Sequence, residues 1–203
     1  MSDTTGPTPD DVALLHHLRV GGGGRRDELE GCYGLDRVER LVVAGLVASA
    51  GAERVSLTAA GRSAHEEALE RELDESGARP AVLAAYERFV ALNGDVKEVC
   101  TAWQLRDHGG SPTLNDHSDP DYDRDVINQL NQLFEKASKV LDALTEALDR
   151  FGGYGRDLRA TTQRIGEGDV AYFTDPRVRS FHNVWFELHE DLLATLRIDR
   201  EGD

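Results

Sequence analysis

The stretch from Val42 to Gly61, VVAGLVASAGAERVSLTAAG, decides the fold of the first third of this chain. The apolar pair Leu46-Val47, the small residues at 48–52 and the returning segment Arg54–Leu57 predict two short antiparallel strands joined by a turn. Thr58 follows at the position where a hydroxyl can accept a hydrogen bond from the first turn of a new helix. The sequence therefore predicts a helix, a β-hairpin and a second helix in immediate succession.

Three short helices are predicted ahead of this hairpin, because apolar residues recur there at helical spacing between turn residues. Their predicted positions are from Asp10 to the Gly21–Gly24 tract, around Arg25–Leu29, and from Arg37 to Ala44 with Asp36 as the cap. The glycine tract lacks the pattern of a phosphate-binding loop, so we interpret it as a flexible linker. Residues 1–9 are polar and predict a disordered tail.

The order of helix, helix, turn, helix, hairpin and helix resembles the winged helix-turn-helix of MarR-type and related bacterial transcriptional regulators. The phrases AGLV at 44–47 and RVSLTAAGR at 54–62 carry this resemblance, which covers roughly residues 10–75. It implies a one-component regulator that binds double-stranded operator DNA as a homodimer and senses a small-molecule effector.

The resemblance also implies roles for five arginines. Arg37 and Arg40 would face the major groove, Arg54 in the wing would touch the DNA backbone or the minor groove, and Arg25 and Arg26 would contact phosphate. These side chains form the predicted DNA interface.

The net charge of −15 disfavours DNA binding, because a strongly acidic protein repels a polyanion. Residues 1–78 contain 15 acidic residues and only 8 arginines. Nine residues separate Gly34 from the AGLV phrase, so the predicted recognition helix is about one turn shorter than is usual in the family. Both features support an alternative, in which the winged helix belongs to an adaptor or accessory protein that does not bind DNA.

The segment Ser76–Pro80 predicts a domain boundary, because glycine ends one helix and proline begins the next. We therefore expect a winged-helix domain over 10–77 and an all-α effector and dimerisation domain over 78–203. Separate helices are predicted on either side of Asn93-Gly94. A long helix over about 121–150 would form the core of the second domain and the dimer interface. No strand is predicted after residue 80.

Histidines and a tryptophan on the last predicted helix, from about 176 to 196, suggest an effector pocket. His182, Trp185 and His189 share a predicted apolar face, either as satisfied packing residues or as pocket lining. Three residues of an earlier helix form a second candidate wall: Lys97, Trp103 and Gln104. A third interpretation is a small helical enzyme or metal-binding domain that uses His182 and His189. Their spacing of seven residues is too long for direct chelation by two rings on one straight helix, so no metal site is predicted.

Other function classes receive no positive signal. The motifs GxSxG, HExxH and CxxC do not occur, and we predict neither enzymatic activity nor a cofactor. No apolar run reaches the roughly 20 residues of a membrane helix, and the N-terminus lacks the features of a signal peptide. Cys32 and Cys100 have neither metal-ligand nor disulfide spacing, so we expect a cytoplasmic protein.

Overall fold

The computed structural model describes residues 6–51, 53–107 and 110–199. Over these residues the chain is mainly helical, with nine α-helices, a three-stranded antiparallel sheet and a separate β-hairpin. The contacts divide the chain into unit 1, Met1–Gly77 with His189–Asp203, and unit 2, Ala78–Leu188. Most of the predicted disordered tail, the hairpin tip at residue 52 and residues 108–109 lie outside the described residues.

Unit 1 begins with helices and strands that alternate over short distances. Its elements are α1 (Pro9–Val20), β1 (Gly24–Arg25), α2 (Arg26–Tyr33), α3 (Leu35–Val43), β2 (Val47–Ala50), β3 (Arg54–Leu57) and α4 (Ala59–Ser76). The strands pair in the order β1-β3-β2, and Val55 lies between Gly24 on one side and Ser49 on the other. The core of this segment consists of buried aliphatic side chains: Leu14, Leu15, Leu18, Leu29, Val38, Leu41, Val47 and Val55.

Local capping chemistry positions α4 behind the hairpin, as the sequence predicts. The Thr58 hydroxyl accepts from Gly61 N at 2.9 Å and donates to Gly45 O at 2.7 Å. A Cβ atom on Gly61 would lie 1.9 Å from Leu46 O, so only glycine lets the helix approach the chain there. The interpretation of Gly21–Gly24 as a linker is wrong at its last residue. Gly24 pairs with β3 because the partner strand, distant in sequence, supplies its hydrogen bonds.

Unit 2 is built from long helices and one hairpin. Its elements are α5 (Arg79–Gln104), β4 (Leu105–Asp107), β5 (Pro112–Leu114), α6 (Pro120–Ala147), a 3₁₀ turn (Asp149–Phe151), α7 (Gly152–Gly166), α8 (Ala171–Thr174) and the first half of α9 (Phe181–Leu196). The β4–β5 hairpin contradicts the expectation of an all-helical second half. These strands are three residues long, too short for a period-two pattern to be recognised.

The prediction of two helices around Asn93-Gly94 is also wrong, because α5 runs through both residues without a break. Asn93 is buried, and its Oδ1 atom accepts a hydrogen bond from the Trp185 indole at 3.0 Å. The side chain therefore bonds a distant partner instead of the local backbone groups that would favour a turn.

The longest helix, α6, buries a single apolar stripe against its neighbours α5 and α7 within unit 2. This stripe consists of Val126, Leu130, Leu133, Phe134, Ala137, Val140, Leu141 and Leu144. This stripe packs in the core of unit 2 and is therefore not available for a dimer interface. The homodimer through α6 stays a prediction. None of the described helices is both long enough and apolar enough to cross a membrane.

Candidate functional site

The arginines at the start of α2 are bound to carboxylates of their own helix. Arg25 donates to Asp27 at 2.7 Å and lies 3.3 Å from Glu28. The hydrogen bond from Arg25 lowers the pKa of the Asp27 carboxyl below its usual value. Arg26 donates to Glu30 at 2.6 Å, in an i,i+4 pair on the helix surface. Both predicted phosphate contacts thus carry a neutralising carboxylate.

The arginines of α3 point toward the N-terminus of α1. Arg37 donates to Asp10 at 2.7 Å, and Arg40 donates to the buried carboxylate of Asp11. Asp11 also accepts from Thr8 N at 3.0 Å as half of a capping box. Burial raises the pKa of Asp11, but the hydrogen bonds from Thr8 and Arg40 lower it by more. Arg40 is therefore held by a carboxylate that α1 itself requires.

Two further arginines of unit 1 lie on β3 and at the start of α4. Arg54 on β3 is exposed, as is Arg62 in the first turn of α4. Arg62 donates to Leu57 O at 3.3 Å, and no described carboxylate forms an ion pair with either arginine. Arg54 is thus the predicted DNA contact that remains available.

The outward face of α3 is acidic and apolar. Val43 is 89% exposed and Leu35 is 48% exposed, and the exposed carboxylates of Asp36 and Glu39 lie between them along the helix. Over residues 26–43 the chain has five carboxylates and three arginines, and all three arginines are in ion pairs. This surface repels phosphate and fits a partner with apolar and basic groups.

The candidate pocket residues do not share one environment. Trp103, Trp185 and His189 are buried, whereas Lys97, Gln104 and His182 are exposed. The expectation that His182 faces the interior is therefore wrong.

The buried face of α9 explains this error, because it is centred on Val184, Leu188 and Leu192. His182 lies about 120° around the helix from Leu188, at 100° per residue. The prediction took the aromatic residues as the centre of the buried face and therefore included Phe186, which is 43% exposed.

Both tryptophans pack against other rings inside unit 2. Trp185 stacks on Phe89 with 4.5 Å between ring centroids, and Trp103 stacks on Phe173 at 4.5 Å with an interplanar angle of 3°. These contacts show that both tryptophans are core residues of unit 2.

A polar cluster after the β4–β5 hairpin was not predicted. The buried Asn115 amide donates to Trp103 O at 3.1 Å and to Asp123 Oδ1 at 2.9 Å, which uses both of its hydrogens. His117 Nδ1 lies 3.0 Å from Asp123 Oδ2, so that nitrogen carries the proton and donates to the carboxylate. The His117 ring also packs against Trp103, with 4.4 Å between ring centroids and a tilt of 36° between the ring planes. His117 has a positive φ of 58°, which few non-glycine residues adopt.

A second cluster that the sequence did not reveal lies in unit 1. His16 Nε2 is 3.0 Å from Asp191 Oδ2, His16 Nδ1 is 3.0 Å from His65 Nε2, and Thr195 donates to Asp191 at 2.9 Å. These residues are up to 179 positions apart in the numbering, so no local motif could have indicated them. No group of three or more His, Cys, Asp or Glu side chains within 6–51, 53–107 and 110–199 is arranged to hold a metal ion.

Comparison with known proteins adds no assignment: no family model, curated protein or solved structure matches this chain.

Proposed function

We propose that unit 1 is a winged-helix module of an adaptor or accessory protein, and that it binds another protein through the outward face of α3. One observation carries this proposal. Four of the five arginines that would contact DNA, all except Arg54, are paired with carboxylates of the same unit. At the same time α3 presents four side chains to solvent: Leu35, Asp36, Glu39 and Val43.

The element order supports the winged-helix part of the proposal. Three helices precede a β2–β3 hairpin, β1 adds a third strand, and α4 follows, which is the succession that the sequence resemblance implies. In this succession α3 occupies the position of the recognition helix.

Charge supports the protein-binding part. For a phosphate to bind Arg37, the guanidinium must leave Asp10 or bring that carboxylate close to the phosphate. Either choice opposes binding, since the first loses an ion pair and the second adds repulsion. A protein segment with basic and apolar side chains meets less opposition, because Glu39 has only a long contact of 3.9 Å to Arg26 and can pair with the segment's charge while Val43 contacts its apolar part.

A photo-crosslinking amino acid at position 43 tests the proposal in cells that express the full chain. We expect a crosslink to one discrete protein, reduced about tenfold when Glu39→Arg places a like charge before the basic segment, a loss of ~1.4 kcal/mol. The matched control is Glu135→Arg, at an exposed position of α6 in unit 2, which should leave the crosslink unchanged. Crosslinks to nucleic acid alone, or equal crosslinks in both variants, would contradict the proposal.

The DNA-binding regulator is the second candidate, favoured by the element order, by Arg54 on β3 and by Arg62 at the start of α4. Wing arginines contact the DNA backbone without reading its sequence. This candidate requires measurable binding to duplex DNA by the unmodified chain, which the first experiment of the Discussion measures.

A further inference from the structure

Three helical segments of unit 1 meet at a buried chain of hydrogen bonds. His16 of α1 lies between Asp191 of α9 and His65 of α4, at 3.0 Å from each. Thr195 donates to the second oxygen of Asp191 at 2.9 Å. Asp191 and His65 are both 0% exposed and Thr195 is 1% exposed, whereas the His16 side chain retains 23% exposure. His16 is therefore the route by which protons reach a buried carboxylate and a buried imidazole.

The hydrogens of this chain can be assigned for neutral imidazoles. Asp191 is the acceptor at one end, so His16 Nε2 carries a hydrogen and donates to it. His16 Nδ1 then has a lone pair and accepts from His65 Nε2. All three hydrogen bonds are satisfied, and the chain holds one buried negative charge.

One added proton is accommodated. It binds His16 Nδ1, the hydrogen of His65 moves from Nε2 to Nδ1, and His65 Nε2 becomes the acceptor. Each hydrogen bond is kept, and the imidazolium now neutralises the buried carboxylate of Asp191, which favours this state.

A second added proton cannot be accommodated. It makes His65 an imidazolium as well, so two N–H groups face each other across 3.0 Å and no lone pair lies between them. The ring centroids are only 5.2 Å apart, so the two positive charges also repel each other.

The other charged groups around this chain of hydrogen bonds are paired with one another. Arg19 of α1 pairs with Glu190 of α9 at 3.1 Å. Arg197 pairs with Glu70 of α4 at 2.6 Å and lies 3.8 Å from Glu66.

Two further histidines lie on the same helices. His17 on α1 bonds the Tyr33 hydroxyl at 3.3 Å, and His189 on α9 is buried. Both enter the test below as control positions.

We propose that the Asp191–His16–His65 chain is a proton-controlled latch. It holds residues 189–196 of α9 against α1 and α4 with no added proton or with one, and it releases this segment when both imidazoles are charged. The released state binds one more proton than the latched state. In the pH range where the second proton is taken up, the population of the released state should therefore rise tenfold for each unit by which the pH falls.

Hydrogen–deuterium exchange of the full chain, corrected for the intrinsic pH dependence of exchange, tests the latch. Between pH 7.5 and pH 5.0 we expect protection of residues 189–196 to fall by at least about tenfold in the wild type. In His65→Gln the amide nitrogen can still donate to His16, but no second proton can bind, so protection should stay constant. The controls His17→Gln and His189→Gln should behave as the wild type does.

Constant protection in the wild type, or an equal fall in His65→Gln, would overturn the proposal. If His65→Gln does not fold, NMR titration of the wild-type imidazoles decides. The latch requires the two rings to take up protons in successive steps, with loss of protection at the second step. Independent titration of the two rings would overturn it.

Discussion

Removing two carboxylates should give unit 1 an affinity for DNA that the wild-type chain lacks. Asp10→Asn removes the carboxylate that Arg37 contacts at 2.7 Å and leaves the longer contact of 3.6 Å to Asp11. Glu30→Gln removes the carboxylate that Arg26 contacts at 2.6 Å and leaves the longer contact of 3.9 Å to Glu39. Asp11 is left in place because it caps α1. The Asp10 side chain is 72% exposed, so losing its pair should cost at most ~1 kcal/mol of unfolding free energy, and the variant should fold.

The size of the effect follows from the number of phosphates that become accessible. Each phosphate neutralised on duplex DNA contributes about −0.9 to the slope of log K against log salt concentration. Two arginines that each lose their shortest carboxylate contact should therefore add at most about −1.8 to the slope, with binding visible only at low salt. Fluorescence anisotropy of a labelled duplex, titrated with the protein at several salt concentrations, measures the affinity and its salt-dependent slope.

The matched control is Asp95→Asn with Glu98→Gln. It removes the same two charges from exposed positions of α5 in unit 2 and should produce no comparable binding. Wild-type binding with a slope steeper than about −3 would refute the reasoning, because it would show that three or more phosphates are contacted despite the internal pairs. The regulator would then replace the adaptor as the better proposal.

Three further predictions concern stability and reactivity. Asn115→Ala should lower the unfolding free energy by about 2–3 kcal/mol in denaturant titration, because its buried amide donates two hydrogen bonds and leaves a buried carbonyl without a donor. A thiol reagent at pH 8 should modify exposed Cys32 while Cys100 reacts only after unfolding, since burial raises the pKa of Cys100 to about 12. Arg177→Gln should raise the pKa of Asp175 from about 2 toward 3.8, measured by NMR; the hydrogen bond from Arg177 stabilises the fold above pH 4, and this contribution is lost as pH falls through about 2.

Local sequence signals predicted the features that depend on neighbouring residues. Thr58 caps α4 and the Arg54–Leu57 strand returns along Val47–Ala50, as expected from a hydroxyl and a small-residue turn. Gly45 has a φ of 71°, which is consistent with its role in ending α3. Each of these features involves contacts within about 15 residues, so the chemistry needed to predict it stands together in the sequence.

The candidate site was harder to predict, because charge partners come from separate helices. Arg40 has a basic side chain in the sequence, but Asp11, which neutralises it, lies on α1. The sequence shows that both charged residues are present. Only the structure shows that they are within hydrogen-bond distance, and this contact determines whether the arginine is available to bind a phosphate. The predicted DNA interface therefore named five arginines without the carboxylates that four of them contact, and DNA binding by these residues stays a prediction.

Composition, periodicity and turn residues by themselves determined that this chain is mainly helical, with a hairpin near residue 50. Tertiary structure alone decided that Gly24 would become a strand, that Asn93 would stay inside a helix, and that His16, His65 and Asp191 would meet. The physical reason is common to these cases. Periodicity and capping act through bonds between sequence neighbours, whereas a buried polar group is satisfied by whichever partner the packed core brings within about 3 Å.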